Sequence, residues 1–252
     1  MARVAIITGA TGGLGKEFIR FVSNDRSIDE IWAVGRNQDK LDELKKEYAG
    51  LVPVRADLSL DGTDIISKKL KEEAPDVRLL VNNAGVAYMG SYEEMGSEKI
   101  KDFCAINCTG VAVLISEVLE YMHEGSGIIN VSSASSYQPN PYLALYSASK
   151  VFVKNLSRAL FKELRPRKIT VTAVCPGWVD TKMLPREKNG KKIRYTGMIS
   201  ATKVVSTALK DNRAGKDLSA PGFFSKYLRF YSKVTPTRLV MWLWEKMIGK
   251  YL

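Results

Sequence analysis

Histidine occurs once in these 252 residues, at His123, and cysteine three times, at Cys104, Cys108 and Cys175. A single imidazole argues against zinc chemistry and against a Ser-His-Asp triad. Cys104 and Cys108 would share a helix face, but a metal site needs more ligands than these, so no metal is expected. With apolar neighbours around the thiols and no signal-peptide pattern ahead of Val4-Ala-Ile-Ile7, the expected setting is a reducing cytoplasm. Acidic residues are scarce in one part of the chain only. Residues 182–252 hold 16 Lys and Arg against 4 Asp and Glu, whereas residues 1–181 hold 22 against 23, so the net charge of +11 belongs to the end of the chain. That asymmetry suits an anionic partner, whether an acidic substrate, an acyl carrier or a membrane surface, and equally suits a plain solvated face. Nucleic acid is not expected, because no nucleic-acid motif accompanies the charge.

What is present is an alternation. Short apolar runs at 4–8, 31–34, 52–54, 79–82, 128–131 and 170–174 are separated by amphipathic stretches at 15–23, 38–48, 61–73, 97–122 and 145–164. Buried strands alternating with helices predict an α/β chain with a doubly wound parallel sheet, and ligands above the carboxyl ends of its strands. The length suits one domain that buries most of its surface without disulfides. The expected organisation is a single domain: a cofactor-binding and catalytic core at 1–181, a substrate lid with the last sheet elements at 182–220, and an aromatic, basic C-terminal extension at 221–252.

The first strand runs into Thr8-Gly9-Ala10-Thr11-Gly12-Gly13-Leu14-Gly15, with a helix following. Glycines there permit a tight turn and close backbone approach, and a helix N-terminus offers free amides to a pyrophosphate. Further on, Tyr146 and Lys150 stand one helical turn apart, with Ser133 upstream. On one helix face the ammonium would favour phenolate and lower the tyrosine pKa toward working pH, where general acid/base exchange is efficient. Alone, the pair reads as a half-buried tyrosine beside a solvated lysine.

Together these segments resemble the short-chain dehydrogenase/reductase family. Its Thr-Gly-x-x-x-Gly-x-Gly turn is matched at 8–15, and Asn82-Asn83-Ala84-Gly85, Asn107-Cys-Thr-Gly110, Ser133, Tyr146-x-x-x-Lys150 and Pro176-Gly177 follow in the family's order. The resemblance covers about residues 3–181 and implies a Rossmann-like fold and hydride transfer between a nicotinamide and a secondary alcohol or ketone. It makes Tyr146 the proton donor to the carbonyl oxygen and Ser133 a hydrogen-bond partner of that oxygen. Lys150 becomes the holder of the nicotinamide ribose, and Asn107 the anchor of a water leading from Lys150 to solvent. It also assigns cofactor contacts to Gly9, Thr11, Gly12, Gly13, Leu14 and Gly15, to Asn83, Ala84 and Gly85, and to Pro176, Gly177, Val179 and Thr181. Asp57 and Leu58 fall at the family's adenine position. Arg36 ends the second strand where an acidic residue would hold the adenine ribose of NAD, and a guanidinium there suits the extra phosphate of NADP, so NADP(H) is the expected cofactor.

After Thr181 the family places a mobile lid, here the basic stretch Lys182 to Arg194. The C-terminal extension carries Phe223, Phe224, Tyr227, Leu228, Phe230 and Tyr231, then the apolar run beginning Leu239-Val-Met-Trp-Leu-Trp. As a helix this end is apolar over more than half its circumference and has to be covered. Core or subunit packing, one wall of an apolar substrate cleft, or a peripheral membrane contact would each do so; the end is too short to span a bilayer. A hydrophobic ketone, steroid or otherwise lipid-like, is the leading substrate and a 3-oxoacyl thioester on an acyl carrier or CoA the alternative. A dinucleotide-sensing binding protein is the reading from another class. A homo-oligomer is expected.

Overall fold

The protein is described here from a computed structural model covering residues 1–181, 184, 187–188 and 191–249. Its first half alternates β1 (Arg3–Thr8), α1 (Gly13–Val22), β2 (Glu30–Gly35), α2 (Gln38–Glu47), β3 (Leu51–Arg55), α3 (Gly62–Glu73) and β4 (Asp76–Asn82). Then come α4 (Ser97–Cys104), a π-helical turn at Ala105–Thr109, α5 (Gly110–Leu119), β5 (Gly127–Val131), α6 (Ala144–Glu163) and β6 (Thr170–Val174). The last third holds β7 (Val179–Asp180), β8 (Glu187–Lys188), β9 (Lys191–Lys192), β10 (Ile199–Ser200), α7 (Ala201–Arg213), β11 (Leu218–Ser219), α8 (Phe223–Val234) and α9 (Thr237–Ile248). Seven strands form one parallel sheet in the order β11-β6-β5-β4-β1-β2-β3.

The strands are apolar on both sides because helices cover both faces. Val4 and Ile6 point into a core closed by Ile66 of α3, Leu114 of α5 and Val153 of α6. Their neighbours Ala5 and Ile7 point the other way, against Phe18 of α1, Leu41 of α2 and Val204 of α7. This strict alternation follows from the two-residue repeat of a strand.

One sequence expectation needs correction. The stretch 97–122 is not one regular helix: the π turn interrupts it at Asn107, a device that recurs at functional sites. The chain 97–119 has the length and apolarity to cross a membrane, but Leu114 and Val118 lie fully buried in the core that covers the sheet. The expected C-terminal helical extension is built of two helices, α8 and α9.

Candidate active site

The loops leaving the carboxyl ends of β1, β2, β4, β5 and β6 border one cavity of about 1090 Å³. Ligands gather at this edge of a doubly wound sheet because the strands reverse order there and leave a crevice. At its floor, Gly9 adopts a φ of +63°, and the amide of Gly12 donates back to its carbonyl at 3.1 Å, closing a tight turn. The N-cap residue of α1, Gly12, has no side chain to cap it, so among the described residues its first amides are left for another acceptor. The turn leaves no room for side chains: a Cβ on Gly13 would stand 2.8 Å from Thr181 Cγ2, and one on Gly15 would stand 2.1 Å from the Gly9 carbonyl oxygen. Asn83 secures the same turn from β4, its Nδ2 donating to the carbonyls of Thr8 at 3.0 Å and Gly9 at 3.1 Å.

Across the cavity, Ser133, Tyr146 and Lys150 meet. Lys150, 5% exposed, donates from Nζ to the Val131 carbonyl at 2.9 Å. The same ammonium lies 5.6 Å from the centre of the Tyr146 ring. Ser133 caps a short helical turn, its Oγ accepting from the Ser135 amide at 3.1 Å. Behind them an asparagine relay staples the sheet to α6: Asn82 Nδ2 donates to Asn130 Oδ1 at 2.8 Å and Asn130 Nδ2 to Ser157 Oγ at 2.9 Å.

The electrostatics reverse one expectation. Burial pushes the Tyr146 phenol above its ordinary value, with the Ser133 hydroxyl opposing the rise, and burial pushes Lys150 down to about 8. Desolvation therefore sets the direction for both groups, and the phenol stands protonated near neutral pH. An added positive charge in the cleft would shift Tyr146 back toward phenolate by the same physics.

Asn107 shows a mixed outcome. Its Oδ1 accepts from the Val86 amide and its Nδ2 donates to the Val86 carbonyl, both at 2.9 Å, so the side chain pins the loop after β4. One lone pair remains on Oδ1. A Cβ on Gly85 would stand 3.3 Å from Lys150 Nζ and 3.4 Å from that oxygen, so the glycine leaves a gap bordered by both.

Every site residue expected from sequence lines the cavity except Gly15 and Asn107. Gly15 packs helix against turn, and Asn107 works one layer behind. At the far rim Arg36 Nη1 lies 3.7 Å from Asp57 Oδ2. Burial alone would raise the Asp57 carboxyl, but the Ser59 backbone and hydroxyl, with Arg36, hold it below its usual value. Lys40 on α2 joins this rim and was missed. The signal that pointed to Arg36 applied equally to it, since it lies in the helix turn that follows the second strand.

Also missed in detail was the apolar half of the cavity, lined by Met89, Leu143, Trp178, Phe224, Leu228 and Trp244. Trp178 stacks on Trp244 with ring centres 6.5 Å apart, and Trp244 Nε1 donates to the Pro141 carbonyl at 2.9 Å, docking α9 beside Tyr146. Ser225 Oγ donates to the Cys175 carbonyl at 2.5 Å, and Phe224 fills the space that a side chain on Gly177 or Gly197 would need. Of the three ways to cover the extension, the inner faces of α8 and α9 take the cleft wall. In the basic lid, Lys182, Met183, Pro185, Arg186, Asn189 and Gly190 lie outside the described residues, as do Lys250, Tyr251 and Leu252 of the extension.

The family model for short chain dehydrogenases matches residues 3–192. The chain belongs to the short-chain dehydrogenase family. A human relative, the inactive hydroxysteroid dehydrogenase-like protein 1, is 32% identical over 72% of this chain, which spans 57% of that protein's length. The bovine very-long-chain 3-oxoacyl-CoA reductase is 32% identical over 82% of this chain and 70% of its own. Among solved structures, a Sphingobium yanoikuyae short-chain dehydrogenase in complex with NADPH superposes with a TM-score of 0.74 at 25% identity, covering 86% of this chain and 87% of that one. A 7beta-hydroxysteroid dehydrogenase superposes with a TM-score of 0.82 over 96% of both chains, and at 20% identity it shares the fold alone.

Proposed function

We propose that this family member uses NADPH to reduce a hydrophobic ketone of steroid or other lipid type. The observation that carries the reading is one continuous cavity, glycine-lined at one end and aromatic at the other, with Ser133, Tyr146 and Lys150 at the junction. The glycine end fits a dinucleotide: backbone lies bare where a Cβ would clash, and the uncapped start of α1 faces it. Gly12, Gly13 and Leu14 would take the pyrophosphate, Arg36 and Lys40 the additional phosphate, and Lys150 the nicotinamide ribose. When bound, NADPH supplies the hydride that reaches the carbonyl carbon. Tyr146, held protonated by burial, hands its proton to the carbonyl oxygen, and Ser133 donates to that oxygen as its negative charge grows. The phenolate this leaves is reprotonated from solvent through the gap beside Gly85, where Asn107 Oδ1 would hold a water, by way of Lys150. The aromatic wall from α8 and α9 excludes bulk water and accepts the apolar body of the substrate.

Arg36→Ala is expected to weaken NADPH binding about tenfold while changing NADH binding little, because a charge-assisted bond to phosphate is lost. Titrating both dinucleotides by fluorescence checks this, and an unchanged preference would refute the assignment of Arg36.

A 3-oxoacyl thioester is the second reading, favoured by the basic end of the chain and by the name of the bovine relative. An NADPH oxidation screen across steroid, acyl-thioester and small carbonyl panels separates the two. Carrier-bound substrates would lose most of their rate in high salt, whereas a free ketone would hold its rate. Highest turnover on carrier thioesters, with that salt dependence, would overturn the ketone reading.

A further inference from the structure

We propose that the outer faces of α8 and α9 dock the protein on an anionic lipid surface, with the mouth of the cavity turned toward the bilayer. Helix α8 is apolar on two sides. Its inner side lines the cavity through Phe224, Leu228 and Tyr231, while Phe223, Tyr227, Phe230 and Val234 form an outer stripe at helical spacing. Phe223 is 84% and Phe230 67% exposed, although burying such rings is strongly favourable. On α9 the exposed stripe continues with Leu239, Trp242 and Leu243. Tyr227, 49% exposed, and Leu243, 42% exposed, also line the cavity, so the two stripes meet at its lip.

Charge selects the partner. Lys226, Lys233, Arg238 and Lys246 are exposed among these rings, and Arg229 is half-buried. Lys246 Nζ sits 3.8 Å from the centre of the Trp242 ring. Glu245 is the sole acidic residue from 221 to 249. Aromatic anchors set in a basic rim match lipid headgroups, where the rings enter the interface and the cations meet phosphate. A second copy fits less well, since a twofold contact sets the same patch against itself and brings like charges together. A ketone dissolved in lipid would then enter the cavity without crossing water. That consequence rests on the proposed ketone reduction, but the docking does not.

The test is co-sedimentation of the full chain with vesicles of phosphatidylcholine alone or mixed with phosphatidylglycerol. Pelleting is expected with the mixed vesicles only. It should fall about tenfold or more in high salt and in Lys226→Glu/Lys233→Glu/Arg238→Glu, whose lost cations each contribute to the attraction. Phe223→Ser/Phe230→Ser should fall as far, with its thermal transition retained. Wild-type protein left in the supernatant by both vesicles would overturn the proposal, and so would pelleting that ignores salt. If Phe223→Ser/Phe230→Ser instead turns a dimer into a monomer in sedimentation equilibrium, the face belongs to a second copy and the proposal fails. Turnover of a water-soluble ketone, measured without vesicles, tests the reaction separately.

Discussion

Tyr146→Phe is expected to lower kcat for ketone reduction by about a hundred- to ten-thousand-fold while leaving NADPH binding nearly unchanged. The change removes one hydroxyl and keeps the ring that packs with Leu143, Trp178 and Trp244. The carbonyl oxygen then develops charge with no proton donor, and Ser133 alone is left to stabilise it. Steady-state rates with a ketone from the screen, alongside NADPH titration by fluorescence, check the prediction. A variant that keeps more than a tenth of wild-type kcat would remove Tyr146 from the proton-donor role. Wild-type protein that binds NADPH but turns over no member of any panel would favour the dinucleotide-sensing reading.

Lys150→Met is expected to abolish turnover and yet to stabilise the fold near neutral pH. The folded protein releases the Lys150 proton at about 8, against 10.5 for an ordinary lysine. Between those values the unfolded chain binds more protons, so wild-type stability rises with pH across that window. Below pH 8 the cost of the buried charge, about 3 kcal/mol, is fully present. Methionine keeps most of the stem and removes that cost, but it leaves the Val131 carbonyl without its donor, which returns about 1 kcal/mol. The expected net gain is about 2 kcal/mol at pH 7, shrinking as pH approaches 10.5. Urea unfolding of both proteins at neutral and alkaline pH measures it. A variant less stable than wild type at pH 7 would show that the Val131 bond outweighs the burial of the charge.

Much of the fold was legible because its signals are local. The six apolar runs at 4–8, 31–34, 52–54, 79–82, 128–131 and 170–174 each fall on an observed strand, since a strand covered on both faces has to be continuously apolar. Last sheet elements were expected somewhere in 182–220, but the seventh strand, Leu218–Ser219, could not be bounded there, and helix α7 was not foreseen. Two residues cannot display a period, and α7 shows its apolar stripe, Val204, Val205, Ala208 and Leu209, amid polar residues in a region where no motif stood. The π turn was illegible for another reason: nothing in Ala105–Thr109 marks the extra residue, and its reason is the placement of Asn107 against Val86 across the cavity floor.

The sequence by itself determined which residues gather along one side of the cavity: the glycine turn, Ser133, Tyr146, Lys150 and Arg36. Each lies at a strand end or on one helix turn, where spacing of a few residues sets position. Tertiary structure decided what those groups experience and what they face. Whether Lys150 lowers the Tyr146 pKa depends on how far burial strips water from both, and that is a property of packing rather than spacing. Whether the aromatic extension forms core, cleft wall or outer surface depends on which side of α8 meets Gly177 and Gly197, residues distant in the chain. That docking sets Phe224, Leu228 and Tyr231 inside and leaves Phe223 and Phe230 outside, so the same apolar helix supplies both the substrate wall and the exposed face.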